Sequence, residues 1–147
     1  MKLLCLPFVA GAALALVLAG CRTPYSSQPL PTPSGLPEVV LPSKSLDQIK
    51  AVAGEFFRNR GYVQTDAASR HNFEMVFDKP VQDSRAGKAL RIRLRLHKQA
   101  DGWRLVGTPL GVESWRGDLE SEQVLLEGAS QVQGFLLEIK GRLETVP

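Results

Sequence analysis

From Leu90 to His97 apolar and polar residues alternate without a break, with Leu90, Ile92, Leu94 and Leu96 on one side and Arg91, Arg93, Arg95 and His97 on the other. A period of two marks a strand whose first set meets a core and whose second set meets water or a partner. Ala100-Asp101-Gly102 then supplies a turn in which glycine can take a positive φ, and residues 103–106 return as the second strand of a hairpin. Residues 72–78 show a shorter alternation, Phe73, Met75 and Phe77 against Glu74, Val76 and Asp78, while residues 62–66 are short and β-prone. After the hairpin, Gly107, Pro109 and Gly111 disturb the pattern, which predicts a strand end, bulge or bend before residues 112–115.

Two stretches carry the helical period instead. Leu46, Ile49, Val52, Ala53, Phe56 and Phe57 recur on one face, Ser45 and Gln48 have the spacing of a capping box, and Gly61 suits the left-handed residue past a helix end. The spacing predicts a helix over residues 46–60. Near the C-terminus Leu125, Ala129, Val132, Leu136, Ile139 and Leu143 draw a single apolar stripe, which predicts a helix beginning at residue 119 or 121 and ending at 142. Asp118, Glu120 and Glu122 at one end and Lys140 and Arg142 at the other suit its macrodipole. Gly128, Gly134 and Gly141 each weaken it by roughly 1 kcal/mol relative to alanine unless a neighbouring element needs the space. The order helix, three or four antiparallel strands, long helix predicts a single small α+β domain over residues 45–147, with the helices on one face of a meander.

The first 44 residues differ in character. After Lys2, residues 3–18 form an apolar run whose one ionisable side chain is the thiol of Cys5, and the run closes on Leu18-Ala19-Gly20-Cys21. A membrane-spanning helix needs about 20 apolar residues, commonly with basic flanks; this run is shorter, ends in small residues and leads into prolines. Its ending resembles the lipobox of bacterial lipoproteins. The resemblance implies that residues 1–20 are a signal peptide cut between Gly20 and Cys21, that a diacylglyceryl group is attached to the Cys21 sulfur, and that the new amino terminus is acylated. It also implies a membrane anchor in the cell envelope. Arg22 occupies the position where an aspartate resembles an inner-membrane retention signal, so the expected place is the periplasmic face of the outer membrane, with inner-membrane anchoring as the alternative.

Residues 21–44 hold Cys21 followed by Pro24, Pro29, Pro31, Pro33, Pro37 and Pro42, a density that excludes a helix or a central strand. They read as a tether, and the segment from 22 to 44 reaches up to ~70 Å at about 3.1 Å per residue in polyproline geometry. A proline-rich ligand for an aromatic groove is the sharper alternative reading of Pro-Leu-Pro-Thr-Pro.

Composition narrows the chemistry. Cys5 and Cys21 are the two cysteines of the chain, so processing would leave the lipidated one alone, with no intramolecular disulfide, thiolate nucleophile or cysteine metal site. The formal net charge is only +3, but it is unevenly spread. Residues 79–104 hold eight basic and two acidic side chains, and residues 113–144 hold seven acidic and three basic.

Arg91, Arg93, Arg95 and His97 therefore form the candidate partner surface, and three uses compete for it. Glu74 and Asp78 on a neighbouring strand can pair with the arginines. The guanidinium groups can instead dock an acidic envelope protein, or an anionic lipid or glycan, through bidentate contacts to carboxylate or phosphate. Nucleic acid is the third use and is not expected, because no aromatic is interleaved on that face for base stacking and the implied compartment holds little of it. His71 and His97 stand apart from any H-E-x-x-H repeat, and the chain has no G-x-S-x-G and no glycine-rich phosphate loop. No catalytic, metal-binding or cofactor-binding residue is assigned. Trp103 and Trp115 suit either a sugar or peptide pocket or simple packing. The sequence thus predicts a binding or scaffolding module for another envelope component. The alternative, an envelope hydrolase or glycan-processing enzyme, requires a concave pocket with convergent polar groups.

Overall fold

A computed structural model of the chain describes residues 29–68, 70–82 and 87–145. Residues 1–20, with Gly20 at the expected cut, and Cys21 lie outside them. Among the described residues the order is β1 (Glu38–Pro42), α1 (Leu46–Arg58), β2 (Val63–Gln64), β3 (Glu74–Pro80), β4 (Ala89–Gln99), β5 (Gly102–Glu113), β6 (Ser121–Val124) and α2 (Ala129–Thr145). The domain is α+β, with one antiparallel sheet of six strands rather than three or four. Its order is β1-β5-β4-β3-β2, and β6 also pairs with β5. Strands β2 to β5 form the expected meander, and β6 extends it by a strand where a helix was expected. β1 and β6 lie end to end along one edge of β5, opposite residues 102–106 and 110–113, while β4 takes the other edge.

That arrangement explains how β5 runs unbroken through Gly107, Pro109 and Gly111, where an interruption was expected. The Pro109 carbonyl accepts the N–H of Leu125 on the β1/β6 side. In an antiparallel strand the nitrogen of a residue faces the same way as its carbonyl, so the missing N–H of Pro109 costs no bond to β4. Gly107 and Gly128 make room for the helix layer: a Cβ at Gly107 would stand 2.7 Å from Val132 Cγ1, and one at Gly128 would stand 3.3 Å from Pro109 Cβ.

β1 corrects the reading of residues 21–44. Residues 38–42 are not tether but an edge strand that places Val39 and Leu41 in the core, and α1 is the second element, not the first. Edge strands tolerate proline. The free side of β1 is also protected: the Glu38 N–H donates to Gln133 Oε1 at 2.8 Å, and Gln133 Nε2 donates to the Glu38 carbonyl at 3.1 Å. Pro42 offers no N–H, so Val40 is the one β1 residue left with an outward N–H, a blunted edge of the kind that resists strand addition.

α1 begins with the expected capping box between Ser45 and Gln48 and stops at Arg58, two residues early. The C-terminal helix is corrected more substantially. Residues 121–124 pair with β5 as a strand, a 3-10 turn covers residues 126–128, and α2 begins at Ala129. From there the stripe is as read, with Ala129, Val132, Leu136, Ile139 and Leu143 buried. The core lies between the two helices and one sheet face, around Phe56, Phe57 and Phe77, with the Phe57 and Phe77 rings stacked at 4.5 Å.

Candidate functional site

The sheet face away from the helices carries the basic stripe. It has a small apolar layer of its own, since Val76, Ala89, Val106, Leu110 and Val112 are buried there. The pairs Val76 with Arg93, Val106 with Arg95 and Leu110 with Arg91 set arginine stems over these side chains. Arginine can cover apolar surface in this way only if its head finds water or acceptors.

The heads find acceptors. Arg91, 2% exposed, donates from Nε to Asp78 Oδ1 at 2.7 Å and from Nη2 to Asp78 Oδ2 at 2.9 Å, and its Nη1 reaches Glu120 and Glu122 at 2.5 and 2.6 Å. Asp78 is fully buried and also accepts from Thr65 Oγ1 at 3.0 Å and Trp115 Nε1 at 2.9 Å. Arg93, 12% exposed, donates from Nη2 to Glu122 at 2.8 Å, while its Nε stands 3.1 Å from Glu74 Oε1 without hydrogen-bond alignment. Arg95, 52% exposed, donates from Nε to Glu74 at 3.2 Å, and the other Glu74 oxygen accepts the Arg70 N–H at 2.7 Å. Three guanidinium groups thus meet four carboxylates. Arg91 and Arg93 are internal ion partners and not an open docking surface; the first of the three competing uses accounts for them.

The acids that the helix reading put at an α2 terminus, Glu120 and Glu122, instead complete this layer from the β5–β6 connection and β6. The connection is tightly turned, with Ser114 at φ 53° and Arg116 at φ 61°. The Trp115 N–H donates to the Gly87 carbonyl, and the Arg116 guanidinium stacks on the Trp115 ring at 4.3 Å. Trp115 therefore covers the ion pair from outside, whereas Trp103 packs in the core against Phe73. The sequence did hold a signal for the acidic partners: Glu120 and Glu122 are two apart, a strand spacing that answers the two-residue spacing of the arginines.

Burial opposes ionisation of Asp78, yet the Arg91 and Trp115 hydrogen bonds, the Arg91 charge and Thr65 outweigh it and hold the carboxyl below its usual range. Burial likewise opposes ionisation of Glu74 and Glu122. The Arg70 N–H with Arg95 and Arg93, and Arg91 with Arg93, bring these two carboxyls below the usual range as well. Arg91 is pushed above the ordinary guanidinium range, chiefly by its hydrogen bond to Asp78. A carboxyl with a depressed folded value contributes stability that is complete above its unfolded value, near pH 4, and is lost as pH falls through the folded one. Urea titrations should therefore give a level unfolding free energy from about pH 7 to 5 and a progressive fall below that. A profile still level at about pH 3 would contradict the paired layer.

Two further features lie on or beside this face. An open cleft of about 340 Å³ is lined by polar groups that include Lys50, Gln64, Asp66, Arg70, His71 and Glu74. Its groups largely engage one another: Lys50 Nζ donates to the Asn72 carbonyl at 2.7 Å, Gln64 to Asp66 at 3.3 Å, and the Glu74 carboxylate is held as described. The second feature is Arg104, which the sequence reading passed over. It stands opposite His97 on β4 and Val40 on β1, and its Nε is buried with no hydrogen-bond partner. His97, as expected, is exposed at the end of the stripe.

Among the described residues no helix is long and apolar enough to cross a membrane, and no group of three His, Cys, Asp or Glu side chains is placed to hold a metal ion. The chain matches no protein-family model and no curated protein. Among solved structures it is similar to the uncharacterized conserved protein YugN from Geobacillus kaustophilus HTA426, at 18% identity and a TM-score of 0.33, over 77% of this chain and 92% of that one.

Proposed function

We propose that the protein is a lipid-anchored envelope lipoprotein, at the periplasmic face of the outer membrane, whose α+β domain binds or scaffolds another envelope component. The observation that carries this reading is the apolar run closing on Leu18-Ala19-Gly20-Cys21. A diacylglyceryl group and an amide-linked chain supply the several acyl chains that a stable anchor requires, at about 0.8 kcal/mol per buried methylene. The fold changes the geometry of the tether. Residues 29–37 turn back on themselves through Leu30, Thr32 and Gly35, and the Pro37 carbonyl accepts the Gly107 N–H. On this reading the stretch between the anchor and the described residues is 22–28, about 22 Å in polyproline geometry at 3.1 Å per residue.

Replacing Cys21 with serine tests this reading. Wild-type protein should incorporate an alkyne-tagged fatty acid and lose residues 1–20; the Cys21→Ser protein should take up no label and should keep its signal peptide. No label in either protein would sink the proposal. The hydrolase reading gains little from the cleft beside Glu74 or from the one of about 300 Å³ beside Asp78 and Glu120, since the carboxylates of both are engaged by neighbouring cationic and N–H groups.

A further inference from the structure

We infer that the exposed corner of the outer sheet face, made by Arg95, His97 and Arg104 beside Val40, is a docking site for an acidic polypeptide segment. This rests on reading the domain as a binding module and names the partner chemistry. Arg95 lies opposite Val106 and His97 opposite Arg104, so the two arginines occupy diagonal positions, roughly 7–8 Å apart and within joint reach of one anionic group. Their state differs from that of Arg91 and Arg93. Among the described residues Arg104 and His97 have no acidic partner, and Arg95 spends only Nε on Glu74, leaving its terminal nitrogens to solvent.

Glu38, which lies diagonal to Arg104 by register, is held by the Ser34 hydroxyl, and Glu74 opposite Arg95 is shared with Arg93 and the Arg70 N–H. Arg104 in addition has a buried Nε without an acceptor, so this nitrogen is not committed to any group of the fold. At Arg104, and at the terminal nitrogens of Arg95, the stripe is thus not answered by carboxylates of the described residues.

The shape and the surroundings select the partner. Arg95 and His97 are exposed along the strand and Arg104 is half-buried beside them, a linear arrangement that suits an extended segment. Val40, 52% exposed, offers an apolar contact beside the cations. Strand addition at β1 is blocked by Gln133 and Pro42. A bilayer of anionic headgroups would press on the whole face and meet Asp118, Glu120 and Glu122 at its other end, whereas a narrow acidic segment avoids them.

The test uses the full-length protein in a neutral detergent and a fluorescein-labelled hexaglutamate peptide, read by fluorescence anisotropy. The peptide should bind, less tightly as salt is raised. Arg104→Gln should weaken binding by roughly tenfold or more, as expected for loss of charge-assisted hydrogen bonds, with an unchanged unfolding midpoint. His97→Gln, at an exposed position, gives a second reading that does not depend on refolding around Arg104 and should weaken binding less. No binding by the wild type, or equal binding by the wild type and Arg104→Gln, would overturn the site. So would binding to phosphatidylglycerol vesicles that depends on Arg104 while peptide binding does not. Any of these leaves the lipid-anchoring test at Cys21 unaffected.

Discussion

Replacing Arg91 with leucine should destabilise the domain by about 3–5 kcal/mol, the range for removing one member of a buried ion pair. Asp78, itself buried, would then keep only the Thr65 hydroxyl and the Trp115 indole, and Glu120 and Glu122 would lose the cation between them. For a domain of this size the loss corresponds to a fall in unfolding midpoint of at least about 10 °C. Asp78→Leu alone should be similarly costly, because it strands the guanidinium. The double replacement should cost clearly less than the sum of the two, since a buried pair exchanged for apolar side chains is often close to neutral. Equilibrium urea unfolding of the four proteins measures this. Additive losses, or an Arg91→Leu effect below about 1 kcal/mol, would mean that Arg91 behaves as an exposed surface arginine.

The second large effect is expected at Gly102, the residue that turns β4 into β5. Its φ is +149°, and a Cβ there would stand 2.3 Å from the Leu41 carbonyl oxygen and 2.9 Å from Pro42 Cα. Those are backbone atoms of β1, so no rotamer change relieves the collision. Gly102→Ala must either move β1 off β5 or distort the hairpin, at a cost of about 1–3 kcal/mol for overpacking with further strain from φ. Hydrogen exchange should show the loss first in the β1–β5 ladder, at residues 39–41 and 103–105. Gly134 offers the control: nothing lies within 4 Å of a Cβ built there, and Gly134→Ala in the middle of α2 should stabilise by about 0.5–1 kcal/mol. Equal stability of Gly102→Ala and the wild type would contradict the close β1 approach.

Where the side-chain pattern was strong and local, the sequence disclosed the element. The β4–β5 hairpin, the capping box of α1 and the buried stripe from Ala129 to Leu143 all follow from period and spacing. The errors share a physical cause: backbone pairing set by tertiary context. Residues 38–42 are proline-bounded and short, and only the free edge of β5 makes them a strand. Residues 121–124 continue an apolar-polar pattern compatible with a helix, yet their backbone completes the same β5 edge past Pro109. Pro109 itself looked like a breaker and is harmless because its nitrogen faces a gap between β1 and β6.

The arginine stripe was placed on the correct face. What alternation could not show is which arginines have acids above them, because Glu120 and Glu122 arrive from a connection whose path depends on two left-handed residues, Ser114 and Arg116. Arg104 was passed over for a related reason. It is a single arginine in an apolar strand, and its significance comes from having no partner where its neighbours do.

Photo-crosslinking in living cells tests most directly the claim that this domain binds an envelope partner through the unpaired end of the stripe. A photo-reactive amino acid placed at His97 should give crosslinked peptides rich in Asp and Glu from an envelope protein, and adding Arg104→Gln should remove them. The same group at Leu137, exposed on α2, should give none. Crosslinks that survive Arg104→Gln, or that appear equally from position 137, would contradict the account.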